Sequence, residues 1–240
     1  MKLRWFAALL LLGSLAFAQS EIPPGTILPL RLSTSINSRK AKAGQRLSAE
    51  LMQPIDLGPG HQLRPGTRIE GRVLSVDPYH VTLAFDEVIV NHQASSVRTS
   101  LRALASMMDV QDAQLPTNDV GGDRGSSIQD WTTAPIGGGA LYNPYGGKLM
   151  EGDSVIGRAL PGGGIVAKPV AVSGAKCRGD QADGANQAFW VFSPSACGVY
   201  GMDLDLVHSG RTDPIGHITL KSHQGFIIRS GSGLLLRVLP

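Results

Sequence analysis

Sixteen residues, SPSACGVYGMDLDLVH from Ser193 to His208, hold serine, aspartate and histidine together. Those types are the parts of a hydrolytic triad: a hydroxyl nucleophile, an imidazole base and a carboxylate that orients it. Ser195, Asp205 and His208 are the candidate catalytic residues, with Ser193 and Asp203 as their nearest substitutes. Against them, no G-x-S-x-G elbow is present to hold the serine on a strained turn. Asp203 and Asp205 alternate with Met202, Leu204 and Leu206. A strand with that pattern turns both carboxylates to water, where they need no catalytic explanation.

A metal reading draws on His208, His217 and His223, with Asp213 beside them. The spacings match neither a helical pair nor a zinc finger, so only neighbouring strands could assemble them. A glycosidase needs two carboxylates and ring-stacking aromatics. Trp131 and Trp190 are the only tryptophans beyond Trp5, which weakens that reading. The Gly-rich runs contain neither GKS nor GKT, nor a strand–GxGxxG–helix pattern, so no cofactor is expected. Arg211 in GRTDP is placed to clamp an anion or to pair internally with Asp213 or Asp205.

The chain opens MKLRWFAALLLLGSLAFA, a basic start, an apolar run and an A-x-A site. That is the pattern of a secretory signal over 1–18. Export then places the protein in the periplasm or outside the cell, and no transmembrane span is expected after cleavage. Two of the 22 Lys and Arg lie in the leader and none of the 19 Asp and Glu, so the mature chain is close to neutral. Such a balance does not steer nucleic acid. Cys177 and Cys197 are the only cysteines. In an oxidising compartment a lone pair reads most simply as one disulfide, worth about 3 kcal/mol for a loop of roughly 20 residues. The rival reading is a reactive Cys197, for which no base or electropositive neighbour is evident.

The elements that must position these residues are strands. GTILPLRL, RLSAELM, TRIEGRVLSV, HVTLAFDEVIV and ASSVRTSLRAL alternate or carry β-branched residues between Gly and Pro punctuation. The tripeptide Pro-Gly-Thr occurs at 24–26 and again at 65–67. Proline fixes φ, glycine supplies the positive φ of a type II turn, and threonine opens the strand. The matching runs that follow hint at an internal duplication. Gly71 in mid-strand predicts a bulge or bend. Between the two copies, Arg39, Lys40, Lys42 and Arg46 form a basic cluster, readable as a headgroup patch or as a solvated loop.

Residues 105–147 are polar, Gly-rich and aperiodic, and read as a connector; Trp131, Tyr142 and Tyr145 read as a sticky surface or, better, as anchors that pin it to the body. Strand patterns return in GGIVAKPVAV, QAFWVF, VYGMDLDLVH, GHITL, GFIIRS and LLLRV, with GSG at 231–233 as a hairpin turn. The expected fold is all-β. Two barrel- or sandwich-like modules, 19–104 and 148–240, flank the connector.

In the first half, IPPGTILPLRLSTSINS, AGQRLSAELMQPI, LRPGTRIEGRV and VTLAFDEVIV follow one another in an order that resembles the C-terminal β domain of TrbI-type scaffold proteins of type IV secretion systems. Pro24, Gly25, Thr26, Ile36, Ser38, Gly44, Gln45, Pro65, Gly66, Thr67 and Gly71 fall on that family's motif positions. The resemblance implies a β-barrel-like envelope module. The family's inner-membrane helix and Pro-rich stalk have no counterpart here. Residues 105–147 are too polar to supply its membrane-inserted helices, so a pore-forming role is not implied. The second half resembles no family.

With no strong catalytic motif, the expected function is non-enzymatic: an exported binding or assembly protein of the cell envelope. It would act by self-association or on another envelope protein, with association at the outer membrane as one location. The alternative is a secreted hydrolase or carbohydrate-active enzyme acting through Ser195, Asp205 and His208.

Overall fold

A computed structural model describes residues 22–115, 132–143, 146–161, 163–170 and 185–240. The leader, Trp131, Tyr145 and Cys177 lie outside the described residues. The first part of the chain forms β1 (Ile27–Leu32), β2 (Ile36–Asn37), β3 (Arg46–Leu51), β4 (Ile55–Gly58), β5 (His61–Leu63), β6 (Arg68–Val76), β7 (His80–Val90), β8 (Gln93–Ser96) and β9 (Thr99–Ala105). A short helix, α1 (Met107–Asp112), follows, capped by the Ser106 hydroxyl, which accepts from the Asp109 N–H. Then come β10 (Leu141–Tyr142), β11 (Lys148–Glu151), β12 (Ser154–Ala159), β13 (Ile165–Ala167) and β14 (Gln187–Ala188). The last strands are β15 (Gly198–Tyr200), β16 (Asp205–His208), β17 (Ile218–Lys221), β18 (Ile227–Ile228) and β19 (Gly233–Val238).

Both Pro-Gly-Thr copies are the turns their residues dictate. Gly25 and Gly66 sit at φ 90° and 83°. Thr26 N–H donates to the Pro23 carbonyl at 3.2 Å, and Thr67 N–H to the Arg64 carbonyl at 3.0 Å. Each threonine hydroxyl donates to that same carbonyl, at 2.6 and 2.7 Å. The likeness extends to the neighbouring strand. Gly25 N–H donates to Val238 O and Val238 N–H to Thr26 O. Gly66 N–H donates to Leu51 O and Leu51 N–H to Thr67 O. The β1–β19 and β6–β3 pairs are therefore two copies of one hydrogen-bonded unit.

The principal sheet runs β15-β9-β19-β1-β3-β6-β7-β17-β16, with β8 also on β7. All its pairs are antiparallel except β15 on β9. Leu101 N–H of β9 donates to the carbonyl of Ser209, which follows β16, at 2.8 Å, so the sheet nearly closes on itself as a barrel. Alternate residues fill its inside, among them Leu28, Leu30, Ile69, Val73, Phe85, Leu104, Leu234 and Leu236. A void of only about 10 Å³ remains among them, so the barrel is a packed core and not a container.

A second sheet, β10-β11-β12-β13-β14, lies outside the barrel. Its inner face and the loop after it, with Leu149, Ile165, Phe189, Trp190 and Phe192, pack on Ile27, Ala103, Ala105 and Leu235 of β1, β9 and β19. Two short ladders, β18-β2 and β4-β5, complete the structure.

The fold is all-β, as its period-two patterning predicts, and it has two β bodies. Chain and sheets divide differently from the expected 19–104 and 148–240 boundaries, however. β15, β16, β17 and β19 come from the second half and belong to the barrel. The physical reason is that strands pair by complementary edges and faces, not by adjacency in sequence. The stretch 105–147 is more than a connector where it is described: it holds α1 and β10, and Tyr142 is buried as an anchor. The 231–233 turn is real, with Ser232 N–H donating to Arg229 O. It is not a hairpin, because β18 pairs with β2 while β19 enters the barrel.

Gly71 marks a register shift between β6 and β7, as the sequence predicts. A Cβ at this position would drive into the Ala84 carbonyl oxygen and the Phe85 ring. Gly71→Val is therefore expected to destabilise by about 1–3 kcal/mol through overpacking, read as a lower urea midpoint with an unchanged m-value.

Candidate functional site

The structure does not assemble the serine triad. Ser195 lies in the loop between β14 and β15, its hydroxyl 2.9 Å from the Ser193 hydroxyl and donating to the Gly137 carbonyl at 3.3 Å. Asp205 opens β16 on its exposed face. His208 ends that strand and is committed locally. Nδ1 lies 2.7 Å from the His217 carbonyl and 3.1 Å from the Gly210 N–H, and Nε2 lies 3.1 Å from the Thr212 hydroxyl. With its ring nitrogens so placed, His208 pins the loop 209–217 and has none left to serve as base for Ser195.

The metal candidates also stay apart. His208 meets His217 through the latter's backbone, and His223 is exposed beyond β17. Among the described residues no group of three His, Cys, Asp or Glu side chains could hold an ion. His208→Ala is expected to lower stability by about 1–2 kcal/mol through the lost contacts to His217, Thr212 and Gly210. The check is a thermal melt, run beside an esterase and glycosidase substrate panel in which the variant gives the same readings as wild type.

Cys197 is held by Tyr200, whose hydroxyl accepts from Cys197 N–H at 2.8 Å and donates to Cys197 O at 2.9 Å. Its expected partner, Cys177, falls outside the described residues.

Three polar side chains join the barrel to the second layer, and the sequence singled out none of them. Gln53, 1% exposed, donates to Ile165 O at 3.0 Å and accepts from Trp190 N–H at 2.8 Å. Gln187 accepts from Ile27 N–H at 2.7 Å and donates to Gly25 O at 3.2 Å. Arg102, 2% exposed, is skipped by the β9–β19 register and turns outward. Its guanidinium donates to Ala196 O at 3.0 Å, Val170 O at 3.0 Å and Pro194 O at 2.6 Å. The only sequence signal was an arginine inside an otherwise apolar strand run, LRALA. Gln53→Ala leaves the buried Trp190 N–H without its acceptor, while the Ile165 carbonyl keeps the Phe189 N–H. It is expected to cost roughly 1–3 kcal/mol, and limited proteolysis should then cut the second layer before the barrel.

The remaining wall of the barrel faces water. Arg31 pairs with Glu50 at 3.4 Å, Arg68 with Glu70 at 3.1 Å and Arg72 with Asp86 at 2.8 Å. A lipid-facing barrel needs an apolar band there instead. No helix of the described residues is long and apolar enough to cross a membrane.

Two surface features could recognise something. The first is a groove of about 770 Å³ lined by the Arg72–Asp86 pair, Glu87, Ser95, Ser96, Arg98 and Leu239. It runs beside β8, which among the described residues pairs with β7 alone. The second is one end of the barrel, where buried Ser38 clamps three loops. Its hydroxyl donates to Pro78 O and accepts from Phe226 N–H, both at 3.0 Å. In the turn between β6 and β7, Asp77 accepts from Tyr79 N–H at 2.8 Å and His80 N–H at 2.9 Å. The Tyr79 N–H chiefly, with His80 helping against some desolvation, holds the Asp77 carboxyl below its ordinary value.

No protein-family model, curated protein or solved structure matches the chain.

Proposed function

We propose that the protein is an exported, non-enzymatic binding or assembly component of the cell envelope, acting by strand addition at β8. The observation that carries this reading is the edge of β8: among the described residues its ladder is made on one side, to β7 alone, and an open groove lies beside it. Such an edge is a template for an extended segment, with backbone hydrogen bonds supplying affinity. Val97 N–H points to Asp86 O. By alternation the N–H groups of Ala94 and Ser96 point away from β7, towards an incoming strand.

The basic start, apolar run and A-x-A site of the leader support export. The resemblance of the first half to TrbI-type scaffold domains supports an envelope address and an assembly role, without the pore. In that compartment Cys177 and Cys197 form one disulfide, tying the segment before β14 to the loop before β15.

The test is fractionation of expressing cells, sizing of the solubilised native protein, and crosslinking of wild type beside Ala94→Pro. Proline removes an outward donor at an edge where β8 itself loses no ladder bond. The expected result is an envelope-bound assembly whose crosslinked partner, another envelope protein or a second copy, is lost in the variant. A strictly monomeric, partnerless protein, or crosslinks indifferent to Ala94→Pro, would overturn the reading.

A further inference from the structure

The basic cluster is not part of the β8 groove and has its own geometry. Arg39, Lys40, Lys42 and Arg46 are all exposed. Among the described residues none has an ion-pair partner, while Arg31, Arg68 and Arg72 on the same barrel each hold a carboxylate. The cations are not on a loose loop. The Asn37 side chain accepts from Arg39 N–H at 3.0 Å, and its carbonyl accepts from Lys40 and Ala41 N–H. Gly44 N–H anchors the far end of the loop to Val73 O.

Ser38 draws this loop against the 77–79 turn and the 222–226 loop. Those neighbours add apolar groups. Tyr79 is 51% and Ile227 49% exposed, large side chains held in water at the edge of a cationic surface. Tyr79 is fixed there, since its carbonyl accepts from Ser222 N–H. Asp77, the carboxylate of the turn, accepts from Tyr79 and His80 and forms no ion pair with the lysines among the described residues.

Ordered, unpaired cations with an aromatic and an aliphatic side chain at one end match one chemistry. Phosphate headgroups over an acyl layer offer charge to the first and an apolar interior to the second. Tyrosine is a favoured side chain at that depth. Nucleic acid would meet the cations but leave Ile227 without a role. From this charge complementarity we infer that the end of the barrel formed by residues 38–46, 77–79 and 222–227 docks on an anionic lipid surface. Tyr79 and Ile227 enter the headgroup layer there. The inference rests on the envelope reading above and names the lipid chemistry that this end of the protein meets.

The experiment uses the purified mature protein and vesicles of phosphatidylcholine, with or without roughly one-third phosphatidylglycerol. It is expected to sediment with the anionic vesicles, to leave phosphatidylcholine alone, and to be released as salt rises to about 0.5 M. Replacing Lys40→Gln and Lys42→Gln together lowers affinity roughly fivefold per charge removed. Tyr79→Ser with Ile227→Ser weakens binding while circular dichroism stays unchanged, since both side chains are exposed. Binding to neither vesicle, equal binding to both, or indifference to the lysine replacements would overturn the inference. So would sedimentation without vesicles that the lysine replacements abolish, because a second copy would then cover the surface. If vesicle binding fails while cells still hold the protein in their envelope fraction, only this inference falls. If vesicle binding holds and the protein is absent from that fraction, the envelope reading falls instead.

Discussion

The β1–β19–β9 wall is apolar on both faces, and that constraint organises the molecule. Leu28, Leu30, Leu234 and Leu236 fill the barrel, while Ile27, Ala103 and Leu235 of the same strands face outward and are equally buried. A half-exposed sheet would alternate polar and apolar residues; these strands do not, so they need cover on both sides. The second sheet supplies it. Fully burying a Leu or Phe there contributes about 1.5–3 kcal/mol, so several such residues give the second sheet its reason to dock. From Arg31 near the end of β1 round to Glu50, Arg68 and Glu70 of β3 and β6, the alternation returns and leaves that side to solvent.

An apolar contact alone would let the second layer slide. Gln53, Gln187 and Arg102 remove that freedom by binding backbone groups, whose positions are fixed by the strands and turns around them. The chain from Phe189 to Cys197 has little sheet of its own, so its carbonyls need donors from elsewhere. Arg102 supplies several from one planar group. Skipping Arg102 in the β9–β19 register is what turns its side chain outward to reach them.

What the sequence made legible was local. The Pro-Gly-Thr turns are encoded in three adjacent residues, and both formed as read. Gly71 announced its register shift because only glycine tolerates that approach. The alternation of Leu204 and Leu206 with Asp203 and Asp205 placed the carboxylates in water, as found. Closure of the barrel was not legible, because β1 finds β19 from the far end of the chain and no short-range pattern states that pairing. The glutamine and arginine latch was hidden for a related reason: single polar residues carry no period. Ser195 and His208 show the converse. Thirteen positions apart in sequence, each is engaged by its own loop, because consecutive turns here point their side chains to different neighbours.

The place of β19 also sets the order of assembly. Ile27 pairs with Arg237, and Thr99 with Val238, so the edges of β1 and β9 both wait for the same late strand. Until it arrives, a chain emerging from its N-terminus has two unmatched apolar edges and an open core, the state most prone to aggregate. Contacts of such sequence separation make closure slow compared with a helical protein of equal size. A chain built this way folds as a clasp and not as a zipper, and a partner that shields its open edges during synthesis or export would matter more to its yield than to its final stability.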